Sequence, residues 1–142
     1  MSQKPSLTLK RRFKARPDVV YAVWTDPAHI VHWWGPDSGP VLEATADVRV
    51  GGRFHVNFKT LNGEEHNVGG VYREVVPNAK LTFTWAWRST PERESLVTVT
   101  FKADGDETIL TLLHEQFFDE VARDRHQRGW TGTLDKLERY LA

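Results

Sequence analysis

The sequence contains no cysteine. That excludes a disulfide framework, a thiolate nucleophile and a cysteine-ligated zinc site, and it fits a reducing, cytoplasmic compartment. An excess of charge of either sign is also missing, because 19 lysines and arginines balance 19 aspartates and glutamates. With no net field to draw in phosphates or anionic lipid, nucleic acid and membrane surfaces are disfavoured as partners. Long apolar runs are absent too. The N-terminal MSQKPSLTLKRRF has no apolar signal region, and no uncharged apolar stretch approaches the ~18 residues of a membrane-spanning helix. There is no internal repeat or low-complexity linker, no G-x-S-x-G elbow, no phosphate-cradling P-loop and no H-E-x-x-H pair. At 142 residues one core is expected, burying roughly 68–70% of the unfolded chain's surface. The reading is a single domain over 1–142.

What the sequence does have is six tryptophans, rings large enough either to thicken a small core or to line a cavity. It also has a C-terminal stretch with a clear period. Phe118, Ala122, Gly129, Trp130, Leu134, Leu137 and Leu141 recur at steps of three and four, which predicts one amphipathic helix over 118–141, roughly 36 Å long. Its other face carries opposite charges four apart, at Asp119/Arg123, Asp124/Arg128 and Asp135/Arg139, each pair worth a few tenths of a kcal/mol. A helix of that length needs a broad apolar partner, which only the preceding strands can supply.

Leu7, Leu9 and Phe13 alternate with polar residues and predict a first strand over about 6–15. Pro17 and Asp18 open a short helix with Val20, Val23 and Trp24 on its stripe, and Pro27 opens a second that runs to about Trp33. From residue 42 onward strands and turns follow one another. Phe54, Val56 and Phe58 alternate with polar neighbours, Asn62-Gly63 signals a hairpin, and a strand over 65–76 turns at Pro77-Asn78 into Leu81, Phe83, Trp85 and Trp87. Val97, Val99 and Phe101 mark another strand, and Leu110, Leu112 and His114 are the in-phase set of the last. About seven strands joined by short turns mean an antiparallel sheet with one face to be covered, an α+β fold.

Five segments, taken in order, resemble a known family: PDVVYAVWTDPAHIVHWWGP (17–36), DVRVGGRF (47–54), GGVYREVVPNAKLTFTW (69–85), ETILTLLHEQF (107–117) and GWTGTLDKLERYL (129–141). The chain resembles, from Leu7 to Leu141, the Hsp90-ATPase-activator-homologue group of the START-like superfamily, also called polyketide cyclase/Bet v 1-like. The resemblance implies a helix-grip fold, in which a curved antiparallel sheet of about seven strands wraps a long C-terminal helix and leaves a cavity between them. Curvature at Gly51-Gly52 and Gly69-Gly70 would make the sheet stand off the helix at its middle.

Within that fold the inward set offered to a ligand is Trp34, Phe54, Val56, Phe58, Tyr72, Phe83, Trp85, Val99, Phe101, Leu112, His114, His126, Trp130 and Leu134. His114, in phase with Leu110 and Leu112, reads either as a hydrogen-bonding or acid–base group or as a structural histidine satisfied by a backbone carbonyl. His126 lies one turn before Trp130 on the same stripe. Tyr72, Trp85, Trp87 and Trp130 read as pocket walls or as core filling. Of the adjacent Trp33 and Trp34, one ring should pack while the other reaches the rim, where it could gate an entrance or touch a protein partner. His29 and His32 share a helical face, but no third ligand stands at a completing spacing, so no metal and no cofactor are assigned. Glu64-Glu65 and Glu92/Glu94 lie beside turns as solvated groups, and no catalytic residue is assigned.

Three functions follow from these readings. The first is binding of a small hydrophobic or aromatic molecule between helix and sheet. The second, implied by the cyclases and hydrolases of the superfamily, is an enzyme using His114. The third, implied by the family, is stimulation of an Hsp90-type chaperone ATPase. The eukaryotic co-chaperone carries a separate N-terminal domain whereas this chain opens on its first strand, which argues against the chaperone partner. Exposed strand edges and the Trp33-Trp34 rim would also allow a homodimer, though nothing in the sequence requires one.

Overall fold

The computed structural model describes residues 4–142. Seven strands form one antiparallel sheet in the order β1-β7-β6-β5-β4-β3-β2. They are β1 (Leu7–Phe13), β2 (Val41–Ala46), β3 (Arg53–Lys59), β4 (Glu65–Val76), β5 (Lys80–Trp87), β6 (Ser95–Asp104) and β7 (Glu107–Glu115). From β2 to β7 the sheet is a plain meander, and β1 closes the far side by pairing with β7, Leu7 opposite His114 and Phe13 opposite Thr108. Two short helices, α1 (Pro17–Thr25) and α2 (Pro27–Ile30), lie between β1 and β2, and a long one, α3 (Glu120–Leu141), ends the chain. This is the helix-grip arrangement of a curved sheet around a C-terminal helix.

Local chemistry sets the junctions. Pro17 takes the first turn of α1, where a missing N–H costs nothing. Asp26 closes α1 and caps α2, its carboxylate accepting from the Ala28 N–H. Asn78 and Gly63 supply left-handed turn residues between strands. The sheet bends at a register shift in β4 between Tyr72 and Glu74. Beside it, β5 presses so close that a Cβ on Gly70 would collide with the Thr84 carbonyl, while the Thr84 hydroxyl takes the Val71 N–H at 2.8 Å.

The core divides along α3. Its second half contributes Trp130, Thr133, Leu134 and Leu137, with Leu134 and Leu137 wholly buried. Here β1 reaches the helix through Arg11, in phase with Leu7 and Phe13, whose guanidinium donates to Asp135 at 2.7 Å and lies 3.7 Å from Glu138. The loop after α2 is fastened to the same half. A Cβ on Gly132 would meet the Pro36 carbonyl, and the Lys136 ammonium donates to the carbonyls of Trp34 (2.9 Å) and Asp37 (2.8 Å).

Four local expectations are corrected. Helix α3 starts at Glu120, not at Phe118, because the left-handed Gln116 (φ 68°) breaks the strand phase. Phe117 is thereby turned into the core while Phe118 stands 58% exposed. None of the three i,i+4 pairs forms. Asp119 caps α3 by accepting from the Ala122 N–H, Asp124 is taken by its neighbour Arg123 at 3.1 Å, and Asp135 by Arg11 from β1. Helix α2 ends at Ile30 and continues as turns, Trp33 and Trp34 both bonding back to the Ile30 carbonyl. Of that pair Trp33 packs, fully buried with its indole N–H on the Val23 carbonyl, while Trp34, 5% exposed, stands at the bottom of a cleft and not at a rim.

Candidate functional site

Where α3 leaves the core, its first half stands off the sheet. A cleft of about 730 Å³ opens between that half, the loop around Gly35-Pro36, the ends of β3 to β5, and the segments that lead into β6 and α3. That volume lies within the roughly 300–1,000 Å³ usual for small-molecule sites. Trp34, Trp85 and Trp130 form its apolar floor. Trp34 and Trp85 stack with centroids 5.7 Å apart and planes at 26°, and Trp85 meets Trp130 at 5.1 Å. Trp87 and Phe58 extend the wall, and Phe117 and Phe118 stand on the opposite side.

The N–H edges of Trp85, Trp87 and Trp130 are turned toward two imidazoles, while that of Trp34 has no hydrogen-bond partner among the described residues. Trp85 and Trp87 both donate their indole N–H to Nε2 of His126, at 3.3 and 2.9 Å, while Nδ1 of His126 bonds the Ala122 carbonyl at 2.7 Å. Those partners require Nδ1 to carry the proton and Nε2 to accept. Trp130 donates to Nδ1 of His114 at 3.0 Å, so the His114 proton sits on Nε2 and goes to the Ser95 hydroxyl at 2.7 Å, which in turn reaches the Trp85 carbonyl at 3.3 Å. Burial, and after it the proximity of His126, holds the His114 imidazole well below its ordinary value of 6.5. Burial also lowers His126, against the pull of the Ala122 carbonyl. Both rings are neutral bridges with every nitrogen occupied. His114 is satisfied by side chains on both sides, where a backbone carbonyl was the expected partner of a structural histidine, and neither of its nitrogens is open to a ligand.

Of the residues expected to face a ligand, Trp34, Phe58, Trp85, His126 and Trp130 line this cleft. Phe54, Val56, Tyr72 and Phe83, with Trp24, surround a separate hollow of about 10 Å³, room for at most one water. Val99, Phe101, Leu112 and Leu134 lie in the closed core and His114 lies behind Trp130. Trp24 stacks on Trp130 (6.1 Å, 25°), its indole N–H without a hydrogen-bond partner among the described residues. His29 and His32 both turn to Tyr140, the first by a 2.7 Å hydrogen bond and the second by stacking. Among the described residues no group of three metal-ligating side chains gathers.

Several lining residues lie outside the inward set expected from sequence: Arg93, Arg125 and Arg128 at the mouth, the last expected on the wet face beside Asp124, with Thr60, His66 and Phe117. Arginines three apart on a helix carry the same signature as any solvated face. Phe117 is visible only once the Gln116 turn is known. No described helix is long and apolar enough to cross a membrane.

The architecture has close counterparts among solved structures. A Chromobacterium violaceum protein superposes with a TM-score of 0.86 at 24% identity over 96% of both chains. The AHSA1 protein of Silicibacter pomeroyi gives 0.84 at 30% identity, over 96% of this chain and 97% of that one. In sequence, the human activator of 90 kDa heat shock protein ATPase homolog 1 is 26% identical over 125 residues, 87% of this chain and 33% of the human protein. The chain thus spans about a third of that relative's length. Residues 14–142 match the family described as Activator of Hsp90 ATPase homolog 1-like protein. With nearly the whole chain inside that match and the helix-grip fold in common with its relatives, the protein belongs to the Activator of Hsp90 ATPase homolog 1-like family.

Proposed function

We propose that this protein binds a small apolar or aromatic molecule in the cleft between the first half of α3 and the sheet. The observation that carries the reading is the tryptophan-walled cleft of about 730 Å³, held open where the ring edges are already bonded to His126 and His114. Stacked and tilted indoles offer flat apolar faces to a planar guest, and each aromatic contact adds about 0.5–1.5 kcal/mol beyond area burial. The cleft needs no acid or base from its walls for this role. The test is a titration of intrinsic tryptophan fluorescence with fatty acids, flavonoids and polyketide-like aromatics. A saturable change at micromolar ligand, lost when Gly129 is replaced by tryptophan to fill the cleft, is the expected result; a flat response across the panel sinks the reading.

A second reading is favoured by the human relative, whose name ascribes to it activation of a heat shock protein ATPase. Carried to this chain, it means that some surface of the sheet or of α3 docks on a chaperone of the Hsp90 type. Steady-state ATPase measurements on the host's own chaperone, with and without this protein, test it. An unchanged rate at saturating protein removes it.

A further inference from the structure

The walls of the cleft are apolar, yet its mouth carries charge of one sign. Arg93, on the segment between β5 and β6, and Arg125 and Arg128 on α3 all border it, and no aspartate or glutamate does. In a chain with 19 charges of each sign, that is a local segregation. Elsewhere Arg11, Arg12, Arg16, Arg49, Arg73 and Arg123 each lie within 4 Å of a carboxylate, while Arg53, Arg88 and Arg139, outside the cleft lining, do not. Among the described residues Arg93, Arg125 and Arg128 have no such partner. The partner that sequence spacing offers Arg128 is Asp124, but Asp124 is held by Arg123 at 3.1 Å. Arg93 is placed by stacking over Phe118, its guanidinium carbon 3.9 Å from the ring centroid, an arrangement that orients the fork and leaves its N–H edge free.

Deeper in, the polarity falls away. The indole N–H groups of Trp85, Trp87 and Trp130 are consumed by histidines, the Ser95 hydroxyl by His114 and the Trp85 carbonyl, and the Thr133 hydroxyl by the Gly129 carbonyl. A guest therefore meets mainly apolar faces inside, with the Trp34 N–H the one indole donor left open, and unpaired cations at the entrance. On the premise that the cleft is a ligand site, as proposed above, we propose that its ligand is an amphipathic organic anion. Its apolar body lies against Trp34, Trp85 and Trp130, and its carboxylate or other oxyanion head is held by Arg93, Arg125 and Arg128. Guanidinium groups match the planar, two-oxygen edge of such a head and form charge-assisted hydrogen bonds to it.

A matched pair of dyes separates this inference from its premise. Anilinonaphthalene sulfonate and phenylnaphthylamine share one ring scaffold and differ by the anionic group. Both should bind the wild-type protein, the sulfonate at least about tenfold more tightly, the effect of roughly one charge-assisted hydrogen bond. The preference should shrink as ionic strength rises. In the double variant Arg125→Gln/Arg128→Gln the sulfonate should bind no better than the neutral dye, whose own affinity stays unchanged. Both arginines are exposed, so the fold should tolerate the change, and a melting curve checks it. If the double variant does melt early, Arg93→Gln makes the same comparison from the opposite side of the mouth. Equal affinity of the two dyes for the wild type, or a sulfonate preference untouched by either variant, overturns the anion inference and leaves the cleft reading standing. Binding of neither dye overturns both.

Discussion

The two halves of α3 present the same stripe of apolar and small residues to the same sheet and do opposite things. From Trp130 onward the stripe is sealed, with Leu134 and Leu137 wholly buried, Arg11 tied to Asp135 and Lys136 fastened to the loop at Trp34 and Asp37. Before Trp130 it faces a hollow through Ala122, His126 and Gly129, with Arg125 and Arg128 in water and His126 propping two indoles. The difference teaches that amphipathic period reports which face is inward and nothing about what waits there. Whether a stripe meets core or cavity depends on how far the sheet stands off, which the helix's own pattern does not encode.

The sharpest way to test this division is to remove bulk from each half. Leu137→Ala should cost about 2–5 kcal/mol in a denaturant melt, because the sealed half cannot collapse onto the space left. Val121→Ala in the open half should stay within about 0.5 kcal/mol. Equal losses would mean that the first half is as closely packed as the second. Next in size is His114→Ala, which strands the Trp130 N–H in the interior and leaves Ser95 with the Trp85 carbonyl alone. A loss of about 2–3 kcal/mol is expected from one buried donor without a partner and the space the ring vacates, read from the same melt.

The helix glycines give a finer contrast. At Gly132 a Cβ would strike the Pro36 carbonyl, so Gly132→Ala should destabilise by about 1–3 kcal/mol as the loop is pushed off the helix. At Gly129 the nearest atom to such a Cβ is a Pro36 carbon at an ordinary 3.8 Å. Gly129→Ala should therefore be neutral or stabilise by up to about 1 kcal/mol through helix propensity. Thermal melts of the two variants check the pair. The smallest expected effect is with pH. His114 and His126 have folded-state values below the ordinary 6.5, so just under pH 6.5 the unfolded chain takes up protons that the folded chain refuses. Their stabilisation is complete above that value and is lost progressively as pH falls below it. The melting temperature should drop between neutral and mildly acidic buffer, and by less in His126→Gln; an identical drop in both proteins would remove His126 from the account.

Much of this architecture is legible in the sequence, because alternation in strands and capping at Pro17, Asp26 and Pro27 act locally. The inward phase of His114 follows from Leu110 and Leu112 in the same way. What escapes is decided by partners far apart in the chain. The expected pair at Asp135/Arg139 does not form because Arg11, on the first strand, claims Asp135. Phe117 and Phe118 exchange roles because one left-handed residue, Gln116, interrupts the count. The tryptophans divide between core and cleft by tertiary position: Trp24 and Trp33 are enclosed while Trp85 and Trp130 wall the hollow, although Trp24 and Trp130 alike sit on the apolar stripe of a helix. The cationic mouth shows least of all, since Arg125 and Arg128 read as helix surface until a cavity is found beneath them.

With the N–H groups of Trp85, Trp87 and Trp130 directed into the protein, those three rings show the hollow only carbon. A molecule seated against them meets no donor and is free to roll about its own long axis. Discrimination against these three walls then rests on girth and flatness. Altering one ring's volume would change what is admitted and would also take a donor from His126 or His114, so the shape of the hollow and the bonds that hold its walls are tied together.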